Sequence, residues 1–283
     1  MKPEAKRGLI LVSPVLAYAL VLLAGPMAAV VLFSFWTQDF LTLDTTFRLD
    51  NYREILTDPI YGVLLGRSIK LAGLATLATV ILAFPIAYYV SFYVPQKRKA
   101  LWIFLITIPF WTSYLIRVFL WKVILGFNGV INASLTGIGI IDEPLTFILY
   151  NTNAVVITLA HAFAPFAILP IYVALERIDR SLIEAARDLG ESAVGAFFRV
   201  TLPLAMPGVV AAMLIVFIPT IGDYVTPRLV GGPEGLMIAN MIQTQFFRLD
   251  NAPLGAALAV TSMLSVGAIA LILVAITRRW GRS

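Results

Sequence analysis

Residues 176–207 read ERIDRSLIEAARDLGESAVGAFFRVTLPLAMP, the one long charged interruption in the apolar second half of the chain. The local chemistry predicts two short helices joined by a glycine. Ser181 with Glu184 three residues on is a capping-box pattern, in which hydroxyl and carboxylate each satisfy a backbone N–H left open at a helix start. Gly190 fits a helix stop, where a left-handed backbone is free of steric cost only for glycine. The second helix is expected over 191–202, closed by Pro203 and Pro207, which also open the next segment. On it Val194, Phe197, Phe198 and Thr201 recur at i, i+3, i+4 and i+7, leaving Glu191 and Arg199 off the apolar stripe. Such a stripe needs a surface to lie against.

The rest of the chain decides the setting. Its 283 residues are 60% hydrophobic and 13% charged, with a mean hydropathy of +0.90, whereas soluble domains are about a quarter charged. This predicts an all-α membrane protein. Six apolar segments, 9–35, 69–93, 101–125, 152–175, 206–226 and 253–276, are each long enough for the roughly 20 residues that cross a hydrocarbon core. Lys2, Lys6 and Arg7 precede the first, but its apolar run is longer than a signal peptide's, so it reads as a retained span. The expected organisation is a single transmembrane domain over 1–283. It comprises a first span with its outer loop (1–66), a five-span core (67–276) and, within that core, the loop 176–207.

Charge sets the expected orientation. With both termini in the cytoplasm, Lys2, Lys6, Arg7, Lys97, Arg98, Lys99, Arg177, Arg180, Arg187, Arg199, Arg278, Arg279 and Arg282 fall inside. The opposite loops hold Arg48, Arg53, Arg228 and Arg248. This asymmetry satisfies the positive-inside rule and puts 176–207 in the cytoplasm. Outside, 36–66 is expected to hold a short helix capped at Asp50 and a second helix start at Asp58-Pro59. The loop 126–150, with Asn128-Gly129, glycines at 137 and 139, and Asp142-Glu143-Pro144, reads as ordered turns. The pentapeptide FRLDN occurs at 47–51 and 247–251, and unlike flanks make it two unrelated capping turns.

Several chemistries are excluded. There is no cysteine, hence no disulfide or thiol chemistry. No G-x-x-x-x-G-K-[ST] run exists, so the chain has no P-loop for ATP. A lone histidine, His161, rules out a multi-histidine metal site. No paired carboxylates or nucleophile elbow occur, so no catalytic residue, metal or cofactor is expected. The net charge of +5 and pI of 9.5 come from cations at segment ends, which points to lipid and topology and away from nucleic acid.

Polar residues at membrane depth are few. His161 is expected as an interior histidine bonded to a neighbouring helix, with a substrate role as the alternative. Lys122 is expected to snorkel. Asp223, among the breakers of IPTIGDYVTP, belongs either to a pathway or gate or to a structural pair with Arg117. Phe110, Trp111 and Tyr114, beside Pro109, form an interfacial belt or wall a cavity for a cation through their ring faces.

Glu184-Ala185-Ala186, three residues, Gly190, nine residues, then Val200-Thr201-Leu202-Pro203 resembles the EAA signature of ABC-importer permeases, departing only by Val200 for isoleucine. The likeness extends over the chain, since six spans with both ends inside is the plan of type I importer permeases. It implies that Glu184, Ala185, Ala186, Gly190, Leu202 and Pro203 belong to coupling helices that dock on separate, cytoplasmic ABC ATPase subunits. The stretches GVINASL, PLTFILYN, FWTSYLIR and IPTIGDYVTPRLVGGP look similar to permeases of the spermidine/putrescine type. That resemblance implies a second, different permease subunit, an extracytoplasmic solute-binding protein and a small-molecule substrate, a polyamine first and opine-like or other amino-acid-derived solutes as alternatives. A self-sufficient secondary carrier or channel would instead need inverted repeats or buried ion ligands, and a receptor or scaffold would move no solute.

Overall fold

The computed structural model describes residues 3–40 and 42–280. Of the cations used for topology, Lys2 and Arg282 lie outside the described residues, as do the side chains of Lys6, Arg7, Arg278 and Arg279. Helices dominate: α1 (Pro3–Phe33), α2 (Pro59–Phe92), α3 (Gln96–Trp111), α4 (Tyr114–Ile124), α5 (Thr152–Glu176), α6 (Arg180–Asp188), α7 (Ala193–Ile221) and α8 (Ala252–Trp280). Among the described residues α1, α2, α5, α7 and α8 are each long and apolar enough to cross a membrane. A sixth span is made by α3 and α4 together, bent by 88°.

That bend corrects the expected single helix over 101–125. Pro109 has no N–H to give the preceding turn, and the chain tightens into a 3₁₀ turn at Ile108–Trp111. The Thr112 hydroxyl then bonds the Pro109 carbonyl at 2.9 Å, and Thr112 and Ser113 run extended before α4 begins. A second correction concerns α2: the helix start expected at Asp58-Pro59 forms, with Asp58 accepting a hydrogen bond from the Ile60 N–H at 2.9 Å and proline in the first turn, but it runs without a break into the span expected from Ile69. The end of the fifth segment shifts similarly: α7 ends at Ile221, and Thr226 belongs to a separate short helix, Val225–Val230.

By compactness the chain divides into two units, Met1–Gly62 with Met241–Leu264, and Val63–Asn240 with Ser265–Ser283. In the first, the end of α1 is tied to the outer segment. Buried Asn51 donates to the carbonyls of Ser34 and Trp36 at 3.0 and 2.7 Å, and Ser34 bonds the Tyr52 hydroxyl. A two-stranded hairpin, Thr37–Asp39 with Thr42–Asp44, follows α1. Asp50 is the first residue of a short helix, Asp50–Thr57, not its side-chain cap. The two FRLDN copies do different work: Asn51 braces α1, whereas Asn251 accepts from the Leu254 N–H and caps the start of α8.

The second unit is built around α5 against α7. Both contribute small buried residues, Ala167, Ala205 and Ala212 among them, with Ile171 filling the space between. Small side chains let membrane helices approach closely, where water-driven burial contributes little. Gly208 is the tightest point, since a Cβ there would meet the Pro170 carbonyl oxygen at 2.6 Å and overlap the Ala174 methyl.

Candidate functional site

The loop 176–207 folds as a helix, a glycine bend and the root of a span. The capping box does not form: Asp179, two residues ahead of Ser181, accepts its backbone N–H at 3.0 Å and caps α6. A full carboxylate placed at the cap position outcompetes a hydroxyl inside the first turn. The same bond from the Ser181 N–H, then that from its hydroxyl, holds the Asp179 carboxyl below the usual aspartate range. Gly190 has φ of +93°, the left-handed conformation its position required. Beyond it the helix starts at Ala193, capped by Ser192, whose hydroxyl accepts from the Gly195 N–H at 3.0 Å.

Pro203 does not close this second helix, and α7 continues through Pro203 and Pro207 to Ile221. The backbone widens to π-helical spacing over Phe197–Thr201, so the carbonyl that a proline ring at 203 would strike, that of Arg199, lies in a loosened turn. The loop and the span are therefore one continuous element. Glu191 and Arg199 pair across it.

What the loop leaves uncovered is distinctive. Glu184 and Ala185 are exposed, Ala186 half-buried, and Glu184 has no hydrogen-bond or ion-pair partner among the described residues. Leu189 is 87% exposed, Val194 65% and Phe198 60%. Leu202 is half-buried and Pro203 exposed. Leu189, Val194 and Phe198, exposed and apolar, and the Glu184 carboxylate are the groups this loop leaves open for a contact.

The second constellation lies along α4 and α5. Tyr114 donates to Asp223 Oδ2 at 2.6 Å and shares a 2.7 Å bond with the Thr226 hydroxyl. Asp223, 9% exposed, also accepts from the N–H groups of Val225 and Thr226, capping the short helix that follows the break after α7. Arg117 is not its ion-pair partner. Its guanidinium donates to the Ala162 carbonyl at 3.2 Å and lies 5.9 Å from the Tyr114 ring centroid. His161 accepts from Trp121 Nε1 at 3.0 Å, bonded to a neighbouring helix as expected, but on an exposed face and not in the interior. Trp111 stands apart, 77% exposed and edge-on to Phe104. Four of the five anticipated pathway residues are thus on adjoining elements. Arg67 was missed because α2 begins before the apolar run; it donates to the carbonyls of Pro233 and Leu236.

A family model described as "Binding-protein-dependent transport system inner membrane component" matches residues 62–282. The chain belongs to that family. It is therefore a multi-pass inner-membrane permease of an ABC importer, a transport component and not an enzyme. Among its relatives, the spermidine/putrescine transport system permease protein PotB of Salmonella typhimurium (strain SL1344) is 36% identical over 273 residues, covering 96% of this chain and 94% of the relative. The PotB of Escherichia coli (strain K12) is 38% identical over 240 residues, covering 84% and 86%. Among solved structures, a bacterial alginate ABC transporter in complex with an alginate-pentasaccharide-bound periplasmic protein has a chain that superposes with a TM-score of 0.74 at 18% identity, covering 99% of this permease and 98% of that chain. This last likeness speaks to the fold.

Proposed function

We propose that this permease forms part of the translocation path for a small organic polycation of the spermidine/putrescine type, with residues 176–207 as the contact for a separate cytoplasmic ATPase. The observation that carries the substrate class is identity to spermidine/putrescine permeases over nearly the whole chain. Acidic outer segments agree with it: Asp39, Asp44, Asp50, Glu54, Asp58, Asp142, Glu143, Glu234 and Asp250 outnumber the arginines there. Both termini and 176–207 face the cytoplasm, and the opposite side receives an extracytoplasmic solute-binding protein. A second, different permease subunit completes the path.

In this reading Glu184, Ala185 and Ala186 meet the ATPase, Gly190 sets the angle of α6, and Leu202 and Pro203 carry the motion into α7. Closure of the ATPase dimer rocks the spans between inward and outward states. Tyr114 and Arg117 on the broken third span, with His161 on α5 and Asp223 after α7, line or gate the path. The test is uptake of labelled spermidine and putrescine into proteoliposomes holding the assembled transporter, with and without ATP. Saturable ATP-dependent uptake is expected, with Glu184→Lys and Gly190→Pro inserted but inactive, since proline fixes φ near −65°. Uptake that follows an ion gradient without the ATPase, or normal uptake in both variants, refutes the assignment.

A further inference from the structure

The run QKRK at 96–99 has the look of a solvated topology signal, and Lys97 and Arg98 are exposed. Lys99 is not: it is 6% exposed, and its Nζ donates to Glu176 Oε1 at 2.5 Å. The same oxygen accepts the Ser91 hydroxyl at 2.8 Å. Arg180 donates to the Ser91 carbonyl at 3.1 Å and lies 5.5 Å from the Phe92 ring centroid. The positive-inside rule accounts for a lysine in water but not for burying it, because a buried ammonium is costly unless paired. Glu176 keeps 27% of its side-chain surface open, so the pair is only half-buried and a modest source of net stability; the best-attested use of such a pair is to hold one arrangement against alternatives.

The four residues have telling positions. Ser91 is near the end of α2, Lys99 in the first turn of α3, Glu176 the last residue of α5 and Arg180 the first of α6. Only Arg177, Ile178 and Asp179 separate the last two, with Ile178 in the core and Asp179 capping α6. The start of α6 therefore has little freedom to move without carrying this junction along.

We propose that Ser91, Lys99, Glu176 and Arg180 form a clamp at the root of the ATPase-contacting loop, so that displacement of α6 reaches α2, α3 and α5 as one body. These are positioning residues, and the inference rests on the assignment of 176–207 as the ATPase contact. The experiment measures ATP hydrolysis and uptake in the same proteoliposomes, per assembled complex, for Lys99→Met, Glu176→Gln and Lys99→Arg. In the first two, uptake per ATP hydrolysed is expected to fall by roughly 10-fold, inside the roughly 5- to 150-fold span of a lost coupling. Lys99→Arg, which keeps charge and donors, is expected to restore it.

A merely structural role lowers the yield of assembled complex and leaves uptake per ATP unchanged, which overturns the proposal. Ser91→Ala leaves both charges in place and covers the case in which the charge variants fail to insert. Its ratio is expected to fall by roughly threefold, the weight of one hydrogen bond, and an unchanged ratio in an intact complex overturns the clamp. Glu184→Lys run in parallel separates the two readings. Normal uptake there removes the docking assignment, whereas lost uptake there beside an unchanged ratio in the clamp variants removes the clamp alone.

Discussion

Substituting Gly208 by alanine tests the packing on which the loop 176–207 stands. Helix α5 ends at Glu176 and α7 begins at Ala193, so the distance between these two helices sets the base under α6. An added Cβ at 208 would lie 2.6 Å from the Pro170 carbonyl oxygen and 3.3 Å from Ile171 Cα, and would overlap the Ala174 methyl. Non-bonded carbon contacts settle near 3.5–4.0 Å, so the helices must part by about 1 Å. Overpacking of this kind costs about 1–3 kcal/mol. Gly208→Ala should thus lower the unfolding temperature of the purified permease and reduce ATP-driven uptake. Adding Ala174→Gly removes the methyl collision but leaves the Pro170 carbonyl in place, so it should recover only part of the loss. Unchanged stability and uptake in Gly208→Ala, or full recovery in the double variant, would refute the reasoning.

Tyr114→Phe takes away the 2.6 Å bond to Asp223 and the 2.7 Å bond to Thr226; leaving these buried groups short of a partner should cost about 1–3 kcal/mol, read by thermal unfolding, and an unshifted transition would contradict the assigned bonds. At Asp179 the folded carboxyl titrates below the ordinary value of 3.8. Its cap therefore contributes fully above that value and is lost as pH falls through the lower folded one. Protection of the Ser181 amide from exchange should then be flat from about pH 5 to 8 and preserved in Asp179→Asn, whereas Asp179→Ala should expose it throughout.

The contrast between motif and contact runs through this permease. Gly190 was legible because a left-handed residue between two helical patterns is a local matter, and its φ is positive. The Asp58-Pro59 helix start and the Trp121–His161 bond between helices were legible in kind. The capping box was misread because two acceptors, Asp179 and Ser181, compete within three residues, and pattern alone does not weigh a carboxylate against a hydroxyl. Pro203 was misread as a stop because a widened turn, invisible in residue types, removes the clash that makes proline a breaker.

By itself, then, the sequence determined an apolar multi-span chain, a charged loop with a glycine bend and a spacing that resembles the EAA signature, all properties of residue type and interval. Only the tertiary structure decided which span is broken, that the loop is continuous with α7, that Asp223 takes Tyr114 and not Arg117, and that Lys99 alone of its run is buried on Glu176. The physical reason is that spans apolar on every side carry almost no periodic record of their facing. Partner choice among a few polar groups is then set by helix placement, which depends on small residues such as Gly208 far from the charges themselves.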